Sequence, residues 1–142
     1  MADLDRTIQR FASADRQLRL ELLLDYARKL PPLPERFHEA RDRGLNRVPE
    51  CMSPVFLFME TDGDKLTLHA DAPEEAPTVR GFVSLLARQV HDALPETVQA
   101  IPNDLLDQLK LTELLGMTRM QGLSAIVPRI KRMAGEAVDT SQ

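Results

Sequence analysis

Apolar residues recur at helical spacing early in the chain. Leu18, Leu22, Tyr26 and Leu30 fall on one face with Leu23 and Ala27 beside them, while Asp15, Arg16, Arg19, Asp25 and Arg28 lie elsewhere. This pattern predicts an amphipathic helix over roughly residues 14–29. Ser13 is placed to cap its first turn and Asp15 to favour its positive end, whereas Pro31, Pro32 and Pro34 forbid continuation past Leu30. A shorter helix, about Leu4 to Phe11, precedes it. Residues 34–49 are rich in charge and poor in periodicity, a connector with room for one helical turn.

The period then changes to two. Val55, Leu57 and Met59 alternate with Phe56 and Phe58, apolar on both faces, which suits a central strand covered by helices. After Asp62-Gly63, which supplies the positive backbone angles of a tight primed turn, polar Lys65, Thr67 and His69 alternate with Leu66, Leu68 and Ala70. The pair reads as a hairpin with one face of its second arm toward water. A third strand around Arg47 to Glu50 would complete a three-stranded antiparallel meander, with Pro49 confining it to an edge or a strand end.

Beyond the loop Asp71 to Pro77, helical spacing returns in Val79, Phe82, Val83, Leu86 and Val90 until Leu94, where Pro95 stops the pattern. Short helices fit Glu96 to Ala100 and Asn103 to Leu109, separated by Pro102. Thr118 and Gln121, spaced as a capping box, signal a last helix through Leu123, Ile126, Val127, Ile130 and Met133, and Pro128 inside it predicts a kink or break. Helices, a meander and more helices make an α+β fold. We expect one domain over residues 1–142, with about 1–4 and 136–142 flexible.

With 43% hydrophobic and 28% charged residues, the chain can build a core without metals or disulfides. A net charge of −4 and few aromatic residues argue against nucleic acid as a partner. The basic groupings Arg41, Arg43, Arg47 and Arg129, Lys131, Arg132 read as solvated faces able to dock another protein. No stretch approaches the ~20 apolar residues of a membrane span. The start alternates charged with apolar residues, unlike a signal peptide, and the lone cysteine cannot close an intrachain disulfide. A cytoplasmic, reduced protein with no membrane role is expected.

Candidate chemistry narrows by counting ligands. One cysteine and three scattered histidines, His38, His69 and His91, do not make a zinc or iron-sulfur site, so neither a metal nor a bound cofactor is expected. The dispersed glycines form no phosphate-cradling loop, and Ser53, Ser84 and Ser124 lack the glycine frame of a nucleophile elbow. Cys51 remains, held between Pro49 and Pro54 in a short connection of the kind that presents reactive groups. The alternative is a small buried hydrophobe whose thiol is inert. Composition and spacing leave both open.

The run Val48-Pro49-Glu50-Cys51-Met52-Ser53-Pro54-Val55-Phe56 resembles the signature of the SufE family of sulfur acceptors, Val-x-Gly-Cys-x-Ser-x-Val followed by an aromatic. Three further blocks resemble the family in its order. They are Leu30-Pro31, Asp71 through Val79-Arg80-Gly81-Phe82, and Leu115-Gly116 through Thr118-Arg119-Met120-Gln121-Gly122-Leu123. The resemblance spans roughly residues 5–135. It departs at Glu50, where the family has glycine, at Phe56, where tryptophan is common, and at Thr118, where serine is usual. Glu50 puts a carboxylate beside the thiol, which disfavours the thiolate unless a basic group compensates.

The resemblance implies a SufE-like fold and an acceptor without stand-alone catalysis. Cys51 would take persulfide sulfur from a SufS-type cysteine desulfurase, whose own pyridoxal phosphate does the carbon-sulfur chemistry, and stimulate that enzyme. The sulfur would pass to a downstream iron-sulfur scaffold. Arg119 would be a docking or electrostatic residue, and Glu50, Met52, Ser53 and Phe56 the surroundings of Cys51, with Met52, Phe56 and Phe58 shielding the persulfide. Homodimer formation is left open. The competing reading is a binding module that activates a desulfurase allosterically without carrying sulfur.

Overall fold

The computed structural model describes residues 2–141. Two helices open the chain, α1 (Ala2–Ser13) and α2 (Arg16–Arg28). A 3-10 turn (Glu35–Phe37) runs into α3 (His38–Asp42), and the hairpin β1 (Phe56–Asp62) and β2 (Lys65–Asp71) comes next. The rest is helical: α4 (Pro77–Gln89), α5 (Pro95–Gln99), α6 (Leu105–Gln108), α7 (Thr112–Leu123) and α8 (Ile126–Ser141). The α+β class holds. The expected flexible ends fall partly on Met1 and Gln142, which lie outside the described residues.

The sheet has two strands, not three. The segment expected as the third contributes one bridge, Arg47 to Phe56, flanked by hydrogen bonds from Leu57 N to Asn46 O (3.1 Å) and from Val48 N to Val55 O (2.8 Å). Two residues stop it from growing. Asn46 takes a left-handed φ of 64°, and Pro49 has no N–H to donate. The other edge is treated alike: Leu66 and Ala93 exchange hydrogen bonds of 2.7 and 2.8 Å, and Leu68 N donates to Val90 O. Short attachments thus cover both edges, which limits edge-to-edge pairing with another chain.

The hairpin register pairs Asp62 with Lys65, so the turn residues are Gly63 and Asp64. Gly63 carries the positive φ (63°) that the turn requires, and Asp62 does not share it. β1 is buried on both faces. Leu57 belongs to the main core with Leu66 and Leu68, whereas Phe56 and Phe58 form a second cluster with Leu33 beneath Phe37 and Ala40. Phe37 stacks on Phe58 at 4.6 Å between ring centroids. Arg36 clamps this cover to the sheet through a two-pronged bond to Glu60 (2.8 and 2.6 Å), with His69 2.7 Å from the same carboxylate. The Arg36 guanidinium, with His69 behind it, holds the Glu60 carboxyl down at about 2.

α4 packs against both β2 and α2, and α8 against β1 and α5. α2 is capped by Asp15, which accepts from Leu18 N at 2.8 Å, and not by Ser13, which ends α1 and donates to Gln9 O. Leu23, Ala27 and, just past the helix, Leu30 are buried, Leu22 and Tyr26 pack against the core, and of the expected face only Leu18, 47% exposed, stands outside it. Gly81 centres the face on Leu23. A Cβ there would stand 2.3 Å from the Leu23 carbonyl oxygen and 2.9 Å from the Leu23 side chain, so α2 and α4 meet at backbone distance on that face. The bare glycine surface selects Leu23, not Leu22, as the contact.

The single last helix expected from Thr118 onward is two. α7 breaks at Gly116 (φ 78°, ψ 162°), so Thr118 lies in its second half, and a fresh helix begins at Ile126. Pro128 causes no kink because it sits in the first turn of α8, where its missing N–H has no helical partner to lose. The break falls just before it, at Ser124-Ala125.

Candidate functional site around Cys51

Cys51 occupies an eight-residue loop whose ends are tied by the Val48–Val55 hydrogen bond. A turn inside it is closed by Cys51 N donating to Val48 O at 3.2 Å, and Arg47 Nη2 donates to Met52 O at 3.2 Å across the loop. Beneath, Gly122 of α7 comes so near that a Cβ would stand 2.7 Å from the Glu50 carbonyl oxygen and 3.0 Å from Cys51 Cα. Glycine is needed there for the loop to sit on the helix. Proline flanks, backbone closure and this seat fix the cysteine in position.

A cavity of about 330 Å³ opens beside the thiol. Cys51, Met52 and Ser53 form one wall, Thr118 and Arg119 of α7 the facing one, and Val79 and Leu123 supply apolar surface. Arg119 is exposed, and its Nη1 donates to Thr78 Oγ1 at 3.1 Å at the start of α4. The structure thus brings Cys51, Met52, Ser53 and Arg119 together.

Phe56 is elsewhere. It follows the strand alternation to the opposite face, in the second aromatic cluster with Phe58, so neither phenylalanine lodges a persulfide as expected from sequence. Met52 lines the cavity beside Cys51 and is 82% exposed. Val79 and Leu123, distant in sequence, are the apolar neighbours the cavity provides.

Cys51 itself is 6% exposed. Burial pushes its thiol up to about 11, the neighbouring Glu50 carboxylate pushes in the same direction, and Arg47 and Arg129 pull the other way. Arg129, from α8, lies 3.5 Å from the Glu50 carboxylate. Arg47 and Arg129 are the basic groups that oppose Glu50, without cancelling burial, and the sequence names both only as members of its basic groupings. Arg129 belongs to a basic group that reads as a solvated face. The charged groups near the sulfur are therefore one acid and two bases, with Arg119 on the far wall.

A solitary cysteine on a rigid loop, set against a Thr-Arg-x-x-Gly-Leu helix, is the arrangement the sequence signature implies. The family model described as "SufE: Fe-S metabolism associated domain" matches residues 5–134. The chain belongs to the SufE family. Two uncharacterized SufE-like proteins of Mycobacterium tuberculosis, from strains CDC 1551 / Oshkosh and ATCC 25618 / H37Rv, are each 39% identical over 137 residues, covering 96% of this chain and 94% of theirs. The solution structure of a hypothetical protein from Thermus thermophilus superposes with a TM-score of 0.80 at 32% identity, covering 96% of both chains. SufE membership assigns the chain a role in Fe-S metabolism. No helix among the described residues is long and apolar enough to cross a membrane.

Proposed function

We propose that the protein accepts sulfur from a cysteine desulfurase as a persulfide on Cys51, stimulates that enzyme by clearing its product sulfur, and hands the sulfur on for iron-sulfur cluster assembly. The observation that carries this reading is the cavity itself, which brings the lone cysteine to a surface recess faced by Arg119. The step is thiol exchange. The Cys51 thiolate attacks the terminal sulfur of the desulfurase persulfide, a new sulfur-sulfur bond forms on Cys51, the old one breaks, and the desulfurase thiolate leaves. Electrons balance without an external oxidant or reductant. The carbon-sulfur chemistry stays with the desulfurase and its pyridoxal phosphate. Arg119, at the rim of the recess, serves docking or electrostatics toward that partner.

A second reading is favoured by the burial of Cys51 and its raised thiol: an activator that changes the desulfurase by binding it, with the cysteine as core. One substitution separates the two. Turnover of a cysteine desulfurase is measured with and without this protein and with Cys51→Ser. The acceptor reading predicts stimulation by the native chain and a return to the rate of the desulfurase alone with Cys51→Ser. Retained stimulation by Cys51→Ser would establish the activator.

A further inference from the structure

Arg129 pairs at 3.5 Å with Glu50, the residue next to Cys51, and we propose that it is a positioning residue shared by the Glu50 carboxylate and the Cys51 sulfur. It holds Glu50 while Cys51 is a neutral thiol, and turns to the sulfur once the sulfur carries charge as thiolate or persulfide. The persulfide half of this inference rests on Cys51 as the sulfur acceptor. The thiolate half stands on the loop alone.

Three features of Arg129 carry it. First, it lies in the opening turn of the sixteen-residue α8, at the positive end of the helix dipole, where a cation is disfavoured unless an anion sits close by. Second, its side chain is only 24% exposed, and its Nε is shielded from solvent without a hydrogen-bond partner. A guanidinium carries five N–H donors, and a buried one left unused is a standing cost. Third, among the described residues its one polar partner is Glu50, at 3.5 Å, well beyond the roughly 2.7–2.9 Å of a tight charge-assisted bond. Arg129 is therefore placed beside the loop, loosely engaged and with donors to spare.

The other cations at the cavity each hold a neutral partner at ordinary hydrogen-bond distance. Arg47 gives Nη2 to the Met52 carbonyl, and Arg119 gives Nη1 to Thr78. The facing surface from α4, Val79, is uncharged. Glu50 is 46% exposed at its side chain, so it can swing to solvent when Arg129 leaves it. Glu50, where the family signature has glycine, then acts as a placeholder. It occupies the guanidinium in the resting chain, keeps the thiol neutral, and yields when a stronger claim on the cation forms next to it. A persulfide is a stronger acid than a thiol, so the transferred sulfur supplies that claim.

The test is the pH profile of Cys51 alkylation by iodoacetamide in the free protein, read by mass. Glu50→Gln removes the competing anion and frees Arg129, so its profile should move toward lower pH. A shift of about one pH unit gives about tenfold more thiolate at pH 8, offset about threefold by its lower nucleophilicity, for about threefold faster alkylation. Arg129→Met keeps the packing of the stem and should move the profile the other way, with Arg129→Lys restoring most of the native behaviour. The double variant decides. If Arg129 serves the sulfur, adding Arg129→Met to Glu50→Gln cancels most of the acceleration. If it serves only Glu50, the double variant alkylates like Glu50→Gln alone, and the proposal falls. An unchanged profile for Glu50→Gln, an exposed substitution that leaves the fold intact, overturns it equally, even if Arg129→Met fails to fold. No desulfurase takes part, so these outcomes are independent of whether the protein accepts sulfur.

Discussion

At pH 7, Cys51 of the free protein is expected to react with iodoacetamide about tenfold more slowly than an ordinary exposed thiol. The thiol is pushed from 9.0 up to about 11, which cuts the thiolate fraction about 100-fold. The more basic thiolate is intrinsically more nucleophilic by about tenfold, leaving the net factor near ten before any steric shielding is added. Because burial raises the value, the reactive form appears only as pH rises. The rate should climb about tenfold per pH unit from 7 to 10 without levelling. A plateau between pH 8 and 9 would show that Arg47 and Arg129 outweigh burial and Glu50. Binding of a desulfurase should accelerate the reaction by bringing the loop out of its seat.

Such a resting state suits a carrier. An unreactive thiol is spared from oxidants and stray disulfides, and under the proposed function it would become a nucleophile when a desulfurase repositions it. The same seat limits how the loop moves. Gly122 lets the Glu50-Cys51 peptide lie on α7, and because Val48, Cys51 and Val55 belong to the main core, lifting the loop off the helix uncovers part of that core.

Gly81→Ala is expected to cost about 3 kcal/mol of stability, lowering the melting temperature by about 10 °C in a chain of this size. The added Cβ would stand 2.3 Å from the Leu23 carbonyl oxygen. The obstacle is backbone and cannot rotate away, so α2 and α4 must separate. The loss spreads through the core, because Leu23 and Phe82 are among its fully buried side chains and α4 also packs on β2. Thermal unfolding followed by circular dichroism measures it. An unchanged melting temperature would mean that the two helices do not meet at backbone distance.

The hairpin was legible in the sequence because strand alternation and turn chemistry are local. The two faces of β1 could be assigned from Val55 through Met59 alone. The third strand was not, since its length depends on the residues flanking Arg47: a left-handed Asn46 and a nearby proline leave room for one bridge. Helical spacing identified α2 and its buried face apart from Leu18, and it could not show that Gly81 presents its backbone to Leu23 and so makes that residue the closest contact. Pro128 is visible as a breaker, but whether it bends the chain depends on where α8 starts, and in the first turn it bends nothing; the break inside α7 falls at Gly116, which carries no breaker signal in the sequence reading.

The site divides in the same way. Cys51, Ser53 and Arg119 stand out through the spacing of the motif. Phe56 belongs to the motif yet faces away from the thiol, because alternate residues of a strand point to opposite faces. Val79 belongs to a quoted block, yet nothing local places it at the thiol, and Arg129 comes to Glu50 from a helix far along the chain.

The most direct measurement is the mass of the intact protein after incubation with a cysteine desulfurase and cysteine, with Cys51→Ser beside it. A gain of about 32 Da, reversed by a thiol reductant and absent from Cys51→Ser, is the expected result for persulfide transfer. An unchanged mass for the native chain while desulfurase turnover still rises would contradict sulfur transfer to Cys51.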